Sequence, residues 1–436
     1  MEAWEKKSMR KLLLKKGHVI DPASGIDMVA DILIRGDKIE AISPALNVEG
    51  AEVIDVSGKI VAPGFIDLHV HLREPGFTDK ETIKSGTMSA ANGGFTTVVA
   101  MPNTKPVCDS PAVVAYVANH AEACVHVLPA AAITRGSRGA EVTDFTALQQ
   151  AGAVLFTDDG ETVMDAGVMR AAMLQAARED LLIMTHCEDK NLTRGAVMHE
   201  GQVAASLGYK GMPASAEAII AARDVLLAAE TGCRLHLTHV STKETVEIVR
   251  WAKHKGIRVT ADATPHNFAL TDATVATFGA NAKMYPPLRP EEDVVAICEG
   301  LADGTIDAIA TDHAPHTVAE KATGMYTAPK GIVGLETALG VTLTYLVARG
   351  YLSLKEAIAR LSCNPAVILG RDSGTLKPGS VADITVFDPD LEWTVQAQGF
   401  YSKGRNTPFE GQKLKGKPYL TLVAGVIRMH TGKIYL

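Results

Sequence analysis

The chain has 436 residues, with 43 Lys and Arg against 50 Asp and Glu, which leaves a formal net charge of −7. Hydrophobic residues make up 47 % and charged residues 21 %, a soluble globular balance in a chain long enough for a large barrel or about three smaller domains. The acidic balance leaves no basic footprint for nucleic acid, and no stretch approaches the roughly 18 apolar residues of a membrane span.

The N-terminus is basic, but its apolar run, Leu12 to Leu14, is too short for a signal peptide. The six cysteines lack CxxC spacing, which fits reduced thiols in a cytoplasmic chain. The first sixty residues predict short strands over Lys11 to Lys16, His18 to Ile20, Ala30 to Arg35, Ile39 to Ile42 and Val53 to Asp55, separated by Asp-Pro, Gly-Asp and Ser-Gly turns. The middle of the chain then alternates. Short apolar runs recur at Phe65 to His71, Thr96 to Met101, Val125 to Ile133, Ala153 to Thr157, Leu181 to His186, Arg234 to His239, Ile257 to Ala263 and Ile306 to Ala310. Between them lie segments of helical period, among them Lys80 to Asn92, Ala166 to Arg178, Ser215 to Thr231, Thr242 to His254 and Glu291 to Leu301. Eight strand–helix units predict an α/β fold, a (β/α)8 TIM-type barrel; an open doubly wound sheet fits the same pattern, but no Gly-rich phosphate loop follows the first strand. The last sixty residues return to strands at Ile384 to Phe387, Tyr419 to Ala424 and Val426 to Met429. The expected organisation is a barrel over residues 63–370, with residues 1–62 and 371–436 forming one small composite β-sandwich domain from both termini.

The ends of these apolar runs carry the chemistry. The first ends in His69-Val70-His71, the fourth runs into Asp158-Asp159, the fifth ends in His186, the sixth in His239, and the eighth runs into Asp312-His313. In a barrel the C-terminal strand ends form the active-site mouth, so these groups converge, and His69 and His71, two apart in a strand, face the same side. Singly, each histidine is as readily a core residue bonded to backbone, and Asp312 a helix N-cap. Four histidines and two carboxylates on one rim instead call for a cation. Imidazole and carboxylate donors without thiolate select zinc, or manganese or cobalt, and six donors suit two metals sharing a bridging hydroxide, the chemistry of amide hydrolysis. Asp312 would be both ligand and proton carrier to the leaving nitrogen.

At this point the chain resembles the dihydroorotases of the amidohydrolase superfamily. Ile66-Asp67-Leu68-His69-Val70-His71-Leu72-Arg73-Glu74-Pro75-Gly76 looks like their first signature, and Ala310-Thr311-Asp312-His313-Ala314-Pro315-His316 their second. Met101-Pro102-Asn103-Thr104, Phe156-Thr157-Asp158-Asp159-Gly160, His186-Cys187-Glu188-Asp189, Thr238-His239-Val240-Ser241-Thr242 and Pro286-Pro287-Leu288-Arg289 match as well, so the resemblance spans nearly the whole chain. The eight residues before Met9 look like an extension. The resemblance to the bacterial type with a shared aspartate implies two zinc ions held by His69, His71, Asp159, His186, His239 and Asp312. Asp159 takes the bridging place that a carboxylated lysine holds in many amidohydrolases, with Asp158 as its rival. It also implies substrate binding by Arg73, Asn103 and His316, with His71 supplying local backbone. Reversible cyclisation of N-carbamoyl-L-aspartate to L-dihydroorotate in pyrimidine synthesis is the implied activity. An Arg fork suits the substrate carboxylate, and an amide can donate and accept at the ring; a salt bridge from Arg73 to Glu74 or Asp79 is the plainer alternative.

Two positions depart from the family pattern: Tyr285 stands where Asn is usual, and Lys330 precedes Gly331 where an aromatic or proline is common. All three are expected beside the substrate. The loop from Thr317 to Lys330 is expected to close over the site. Two alternatives remain: an allantoinase or hydantoinase acting on another cyclic ureide, and a non-catalytic scaffold for aspartate transcarbamoylase. Members of this type can assemble with that transcarbamoylase, which makes it and a second copy of this chain the candidate protein partners.

Overall fold

In the computed structural model, which describes residues 10–436, the two strands expected near the start form one bulged strand, β1 (Lys11–Asp21). The expected N-terminal extension lies outside the described residues. The register of β1 shifts between Leu14 and Gly17, where Lys16 takes a φ of 60°. A Cβ on Gly17 would lie 2.5 Å from the Val61 side chain, so this close approach requires glycine. β1 pairs antiparallel with β2 (Ile26–Arg35), β2 pairs with β3 (Lys38–Ser43), and β4 (Glu52–Asp55) and β5 (Ile60–Pro63) run parallel to β1.

Eight parallel strands follow, one in each predicted apolar run: β6 (Phe65–Val70), β7 (Phe95–Ala100), β8 (His126–Ala131), β9 (Leu155–Phe156), β10 (Leu182–Thr185), then β13 (Arg234–Leu237), β14 (Val259–Ala263) and β15 (Ala308–Ile309). Two short strands, β11 (Met198–His199) and β12 (Gly211–Met212), pair with each other outside that sheet. First and last strands meet through polar contacts. Val70 bridges to His313, the His71 N–H donates to the His313 carbonyl at 2.8 Å, and the buried Asp67 carboxylate accepts from the Thr311 N–H at 3.0 Å and hydroxyl at 2.6 Å. These contacts close the barrel.

The helices form where caps permit. The segment predicted from Lys80 begins instead at Ile83, because the Thr82 side chain accepts from the Ser85 N–H and caps Ile83–Asn92. Thr242 caps Lys243–His254 in the same way, and Gly232, left-handed, ends Ser215–Thr231.

After the barrel the chain returns with β16 (Ile384–Thr394), β17 (Lys413–Val423), β18 (Val426–His430) and β19 (Lys433–Ile434). β16 pairs antiparallel with β5, so both ends of the chain share one nine-stranded sheet. Leu12, Ile32, Val61, Ile384 and Leu420 pack in its own apolar cluster. Phe65 of the first barrel strand meets Phe95 edge-on at 5.8 Å and Phe387 of β16 at 6.1 Å, which ties this sheet to the barrel. Among the described residues no helix is long and apolar enough to cross a membrane, and all six cysteines are buried and free.

Candidate active site

Asp159 lies between two histidine pairs. Its Oδ2 is 3.2 Å from His69 Nε2 and 3.5 Å from His71 Nε2; its Oδ1 is 3.4 Å from His239 Nε2 and 3.5 Å from His186 Nδ1. Asp312 completes the first pair, with Oδ1 3.0 Å from His71 Nε2 and 3.4 Å from His69 Nε2. Thus the six groups expected from the run ends come together, none more than 6 % exposed. Asp158 does not join them: its carboxylate turns back to accept from the Thr134 N–H at 3.0 Å and the Thr134 hydroxyl. His313 also faces away, toward Glu81 and the Gly334 N–H.

A ring of polar partners aims these ligands. Thr238 Oγ1 is 2.8 Å from His69 Nδ1, Asn103 Oδ1 is 2.9 Å from His71 Nδ1, and Glu188 Oε2 is 3.0 Å from His186 Nε2. Each contact fixes which ring nitrogen is left for the centre of the cluster. His239 and Asp312 sit at φ of 43° and 45°, in the left-handed region that costs a non-glycine residue about 1 kcal/mol or more. Asp262 Oδ1 accepts the His239 N–H at 2.7 Å and so holds that turn. Glu188, Thr238 and Asp262 were not among the expected site residues. Asp262 had a legible signal, since it lies at the end of the seventh apolar run.

The cluster floors a cavity of about 310 Å³ whose wall includes Arg73, Asn103, Met284, Tyr285, His316 and Lys330. That volume suits a small-molecule ligand. Arg73 does not pair with Glu74 or Asp79. Its Nε donates to the Pro315 carbonyl at 3.3 Å and its Nη2 lies 3.2 Å from His316 Nε2, while Glu74 is taken by the Ile83 N–H and the Tyr116 hydroxyl. His316 Nε2 is also 2.8 Å from the Lys330 carbonyl. Gly331 beside it has a φ of 154°, and a Cβ there would lie 2.5 Å from the Ala314 carbonyl oxygen and 2.8 Å from the His316 ring. Asn406, from the C-terminal segment, donates to the Ala314 and Gly331 carbonyls at 2.9 and 2.8 Å and accepts the His316 N–H at 3.0 Å. Nothing in the sequence pattern pointed to it. The loop expected to close over the site is anchored here: Lys283 Nζ donates to the Met325 and Ala328 carbonyls at 2.7 and 2.6 Å, and Lys321 Nζ to the Pro329 carbonyl at 2.9 Å. A larger cavity of about 810 Å³, lined by Thr97, His126 and Arg371, opens near the strand starts, the end of a barrel that supports stability rather than chemistry.

The electrostatics of the cluster fit a cation. Burial pushes the His69 imidazole down, but the Asp159 and Asp312 carboxylates outweigh it and hold the pKa up at about 10. Burial likewise raises Asp312, yet His69 and His71 bring it down to about 2. Imidazole nitrogens face each other at 3.3 Å (His69 and His71) and 2.9 Å (His186 and His239), with carboxylate oxygens between them. His69, His71 and Asp312 form one such donor group, and His69, Asp159 and His239 another. Such convergence of lone pairs, without thiolate, suits borderline divalent metals. Arg73 is lowered by burial to about 10 and stays cationic at neutral pH, whereas burial and Arg73 drive His316 down to about 2 and keep it neutral.

Comparison with known proteins decides the family. A family model described as Dihydro-orotase-like matches residues 58–245. A protein of Pelotomaculum thermopropionicum named dihydroorotase is 53 % identical over 96 % of this chain and 98 % of its own length. One from Thermoanaerobacter sp. with the same name is 50 % identical over 96 % of this chain and 97 % of its own. The chain belongs to the dihydroorotase family. Among solved structures, the L-hydantoinase (dihydropyrimidinase) of Arthrobacter aurescens is 28 % identical, covers 98 % of both chains and superposes with a TM-score of 0.88. The dihydropyrimidinase of Brevibacillus agri, 23 % identical over 97 % of this chain and 96 % of its own, has a TM-score of 0.85 and shares the fold. A dihydroorotase-family chain thus carries the barrel architecture of the cyclic-amide hydrolases, with Asp159, not a lysine, between its histidine pairs.

Proposed function

We propose that the cavity over Asp159 and Asp312 interconverts L-dihydroorotate and N-carbamoyl-L-aspartate, the dihydroorotase reaction of pyrimidine synthesis. The observation that carries this reading is that one cavity joins the six-donor cluster to Arg73, a cation held by backbone and His316 and not by a carboxylate. A guanidinium so placed is free to receive a substrate carboxylate, which hydantoin and allantoin lack. Two zinc ions are the proposed occupants; His69, His71, Asp159, His186, His239 and Asp312 would hold them, Asp159 from its place between the two histidine pairs. Divalent metal at such a site supplies Lewis-acid polarisation of the amide carbonyl and an activated water.

The chain's own residues do the rest. Arg73 and Asn103 bind and orient the substrate, the neutral His316 hydrogen-bonds its polar edge, and glycine at 331 leaves room for the His316 ring, which a side chain there would strike. Asp312, ionised at neutral pH, takes the proton of the attacking water at Oδ1 and passes it to the ring nitrogen as the amide bond breaks. Ring closure runs the same transfer backwards. The test is turnover of L-dihydroorotate by metal-replete protein beside hydantoin and allantoin, with Asp312→Asn as control. We expect dihydroorotate to be the preferred substrate and the variant to lose at least about 100-fold in kcat. Preference for either other ureide would overturn the substrate, and full activity of the variant would overturn the proton carrier.

A further inference from the structure

The wall of the cavity above the cluster is unusually cationic: Arg73, Lys283, Lys321 and Lys330 all belong to it or lie directly behind it. Three of the four donate to acceptors of the protein. Lys283 Nζ donates to two carbonyls at 2.7 and 2.6 Å, Lys321 Nζ to the Pro329 carbonyl at 2.9 Å, and Arg73 to the Pro315 carbonyl at 3.3 Å with His316 beside it. Lys330 differs. Among the described residues no carboxylate lies within salt-bridge distance of its ammonium, and its single hydrogen bond there is a long one, 3.5 Å to the Gly160 carbonyl. What holds it is a ring: Nζ sits 4.4 Å from the centre of Tyr285. Tyr285 is itself fixed, because its hydroxyl donates to the Ala196 carbonyl and so is turned away from Lys330. A cation over an aromatic face keeps its attraction to that face while its N–H donors stay open to a further partner. Glu188, Glu161 and Asp159 attract this ammonium only from a distance, and an ammonium that lines a ligand cavity with no anion in contact suits an anion brought by the ligand.

We infer that Lys330 is a second reader of the substrate carboxylate, lining the same cavity as Arg73, and that Tyr285 is the positioning residue that holds it there. The inference rests on the proposed substrate and goes beyond it in assigning carboxylate selection to a lysine–tyrosine pair. Arg73 reaches the cavity from the loop after β6, and Lys330, from the segment after β15, brings its ammonium beside Gly160 of the loop after β9. A carboxylate that meets both is held by a planar fork and by a point charge that adjusts to it. Arg73 and Lys330 then both serve binding and neither serves the bond that breaks, so their removal acts on KM.

The experiment is steady-state kinetics of the metal-replete protein on L-dihydroorotate for Lys330→Met, Lys330→Gln, Tyr285→Leu and the double variant Lys330→Met/Tyr285→Leu. Competition by orotate and by uracil, the same ring with and without a carboxylate, is measured alongside. Expected are a rise in KM of about 10- to 100-fold for both Lys330 variants with a much smaller change in kcat, and a smaller rise for Tyr285→Leu. The double variant should be no worse than Lys330→Met, because the tyrosine acts only through the lysine. Inhibition by orotate should weaken in parallel while that by uracil does not. Two Lys330 variants of different polarity separate loss of charge from loss of packing. Wild-type turnover with KM and orotate inhibition unchanged in both would overturn the inference alone. Absence of wild-type dihydroorotate turnover would overturn the substrate reading and this inference with it.

Discussion

Asp262 Oδ1 accepts the backbone N–H of His239 at 2.7 Å, at a residue whose φ of 43° no strand would provide. The other oxygen of the same carboxylate is 2.7 Å from His236 Nε2 and 3.1 Å from Thr238 Oγ1, and Thr238 in turn meets His69. One buried carboxylate at the end of β14 thereby sets the backbone of one proposed ligand and the ring orientation of another. Asp262→Ala should weaken metal affinity about 10- to 100-fold while leaving activity recoverable at excess metal. Competition with a chelator, followed by turnover across a zinc titration, checks this.

Asp158 and Asp159 are adjacent, chemically identical and both buried, yet only Asp159 faces the histidines. Asp159→Ala should reduce bound metal below two ions per chain and lower kcat by more than about 100-fold. Asp158→Ala should retain its metal. Metal content by mass spectrometry on both purified variants is decisive, and equal loss in the two would remove Asp159 from its bridging place.

Asp67 is fully buried and accepts from the His69 N–H, the Thr311 N–H and the Thr311 hydroxyl at the seam between first and last strands. Asp67→Ala leaves these buried donors unpaired, at a cost of about 3 kcal/mol. Urea unfolding of the metal-free protein should show it as a lower midpoint. Asp67→Asn, which keeps one acceptor, should fall between the two.

His199 is buried, and its Nδ1 accepts from Arg289 Nη1 at 3.1 Å. Burial and the Arg289 charge lower its pKa from 6.5 to about 4. Between those values the unfolded chain takes up a proton that the folded chain refuses. The stability contributed by His199 is therefore complete above about pH 6.5 and lost as pH falls toward 4. On the order of 2 kcal/mol of the acid destabilisation should disappear in His199→Gln. Unfolding midpoints of both proteins at pH 7, 5.5 and 4.5 test it, and curves that stay parallel count against the assignment.

Much of the architecture was legible. Each of the eight apolar runs became a barrel strand, and six of the histidines and aspartates at their ends met while Asp158 and His313 turned away, because a parallel barrel brings the C-terminal ends of all its strands to one rim but leaves each side chain's direction to its local partners. Local errors had local causes. The split predicted within β1 is a bulge at Lys16 and Gly17 that leaves the strand continuous, and the helix start predicted at Lys80 yields to the cap at Thr82. Asn406 was out of reach for another reason: it braces the Ala314 and His316 loop from the C-terminal segment, by a contact that no periodicity encodes.

The sequence by itself determined the alternation of strand and helix, the donor types and their place at strand ends, since the periods of strand and helix belong to the backbone and show in any chain that obeys them. Only the tertiary structure decided that Asp159 turns inward while Thr134 takes Asp158, that Asp67 seals the barrel against Thr311, and that Lys330 rests on Tyr285. Those outcomes depend on loop dihedrals and on partners up to 244 residues away, which are set when the strands close and not by the residues beside them.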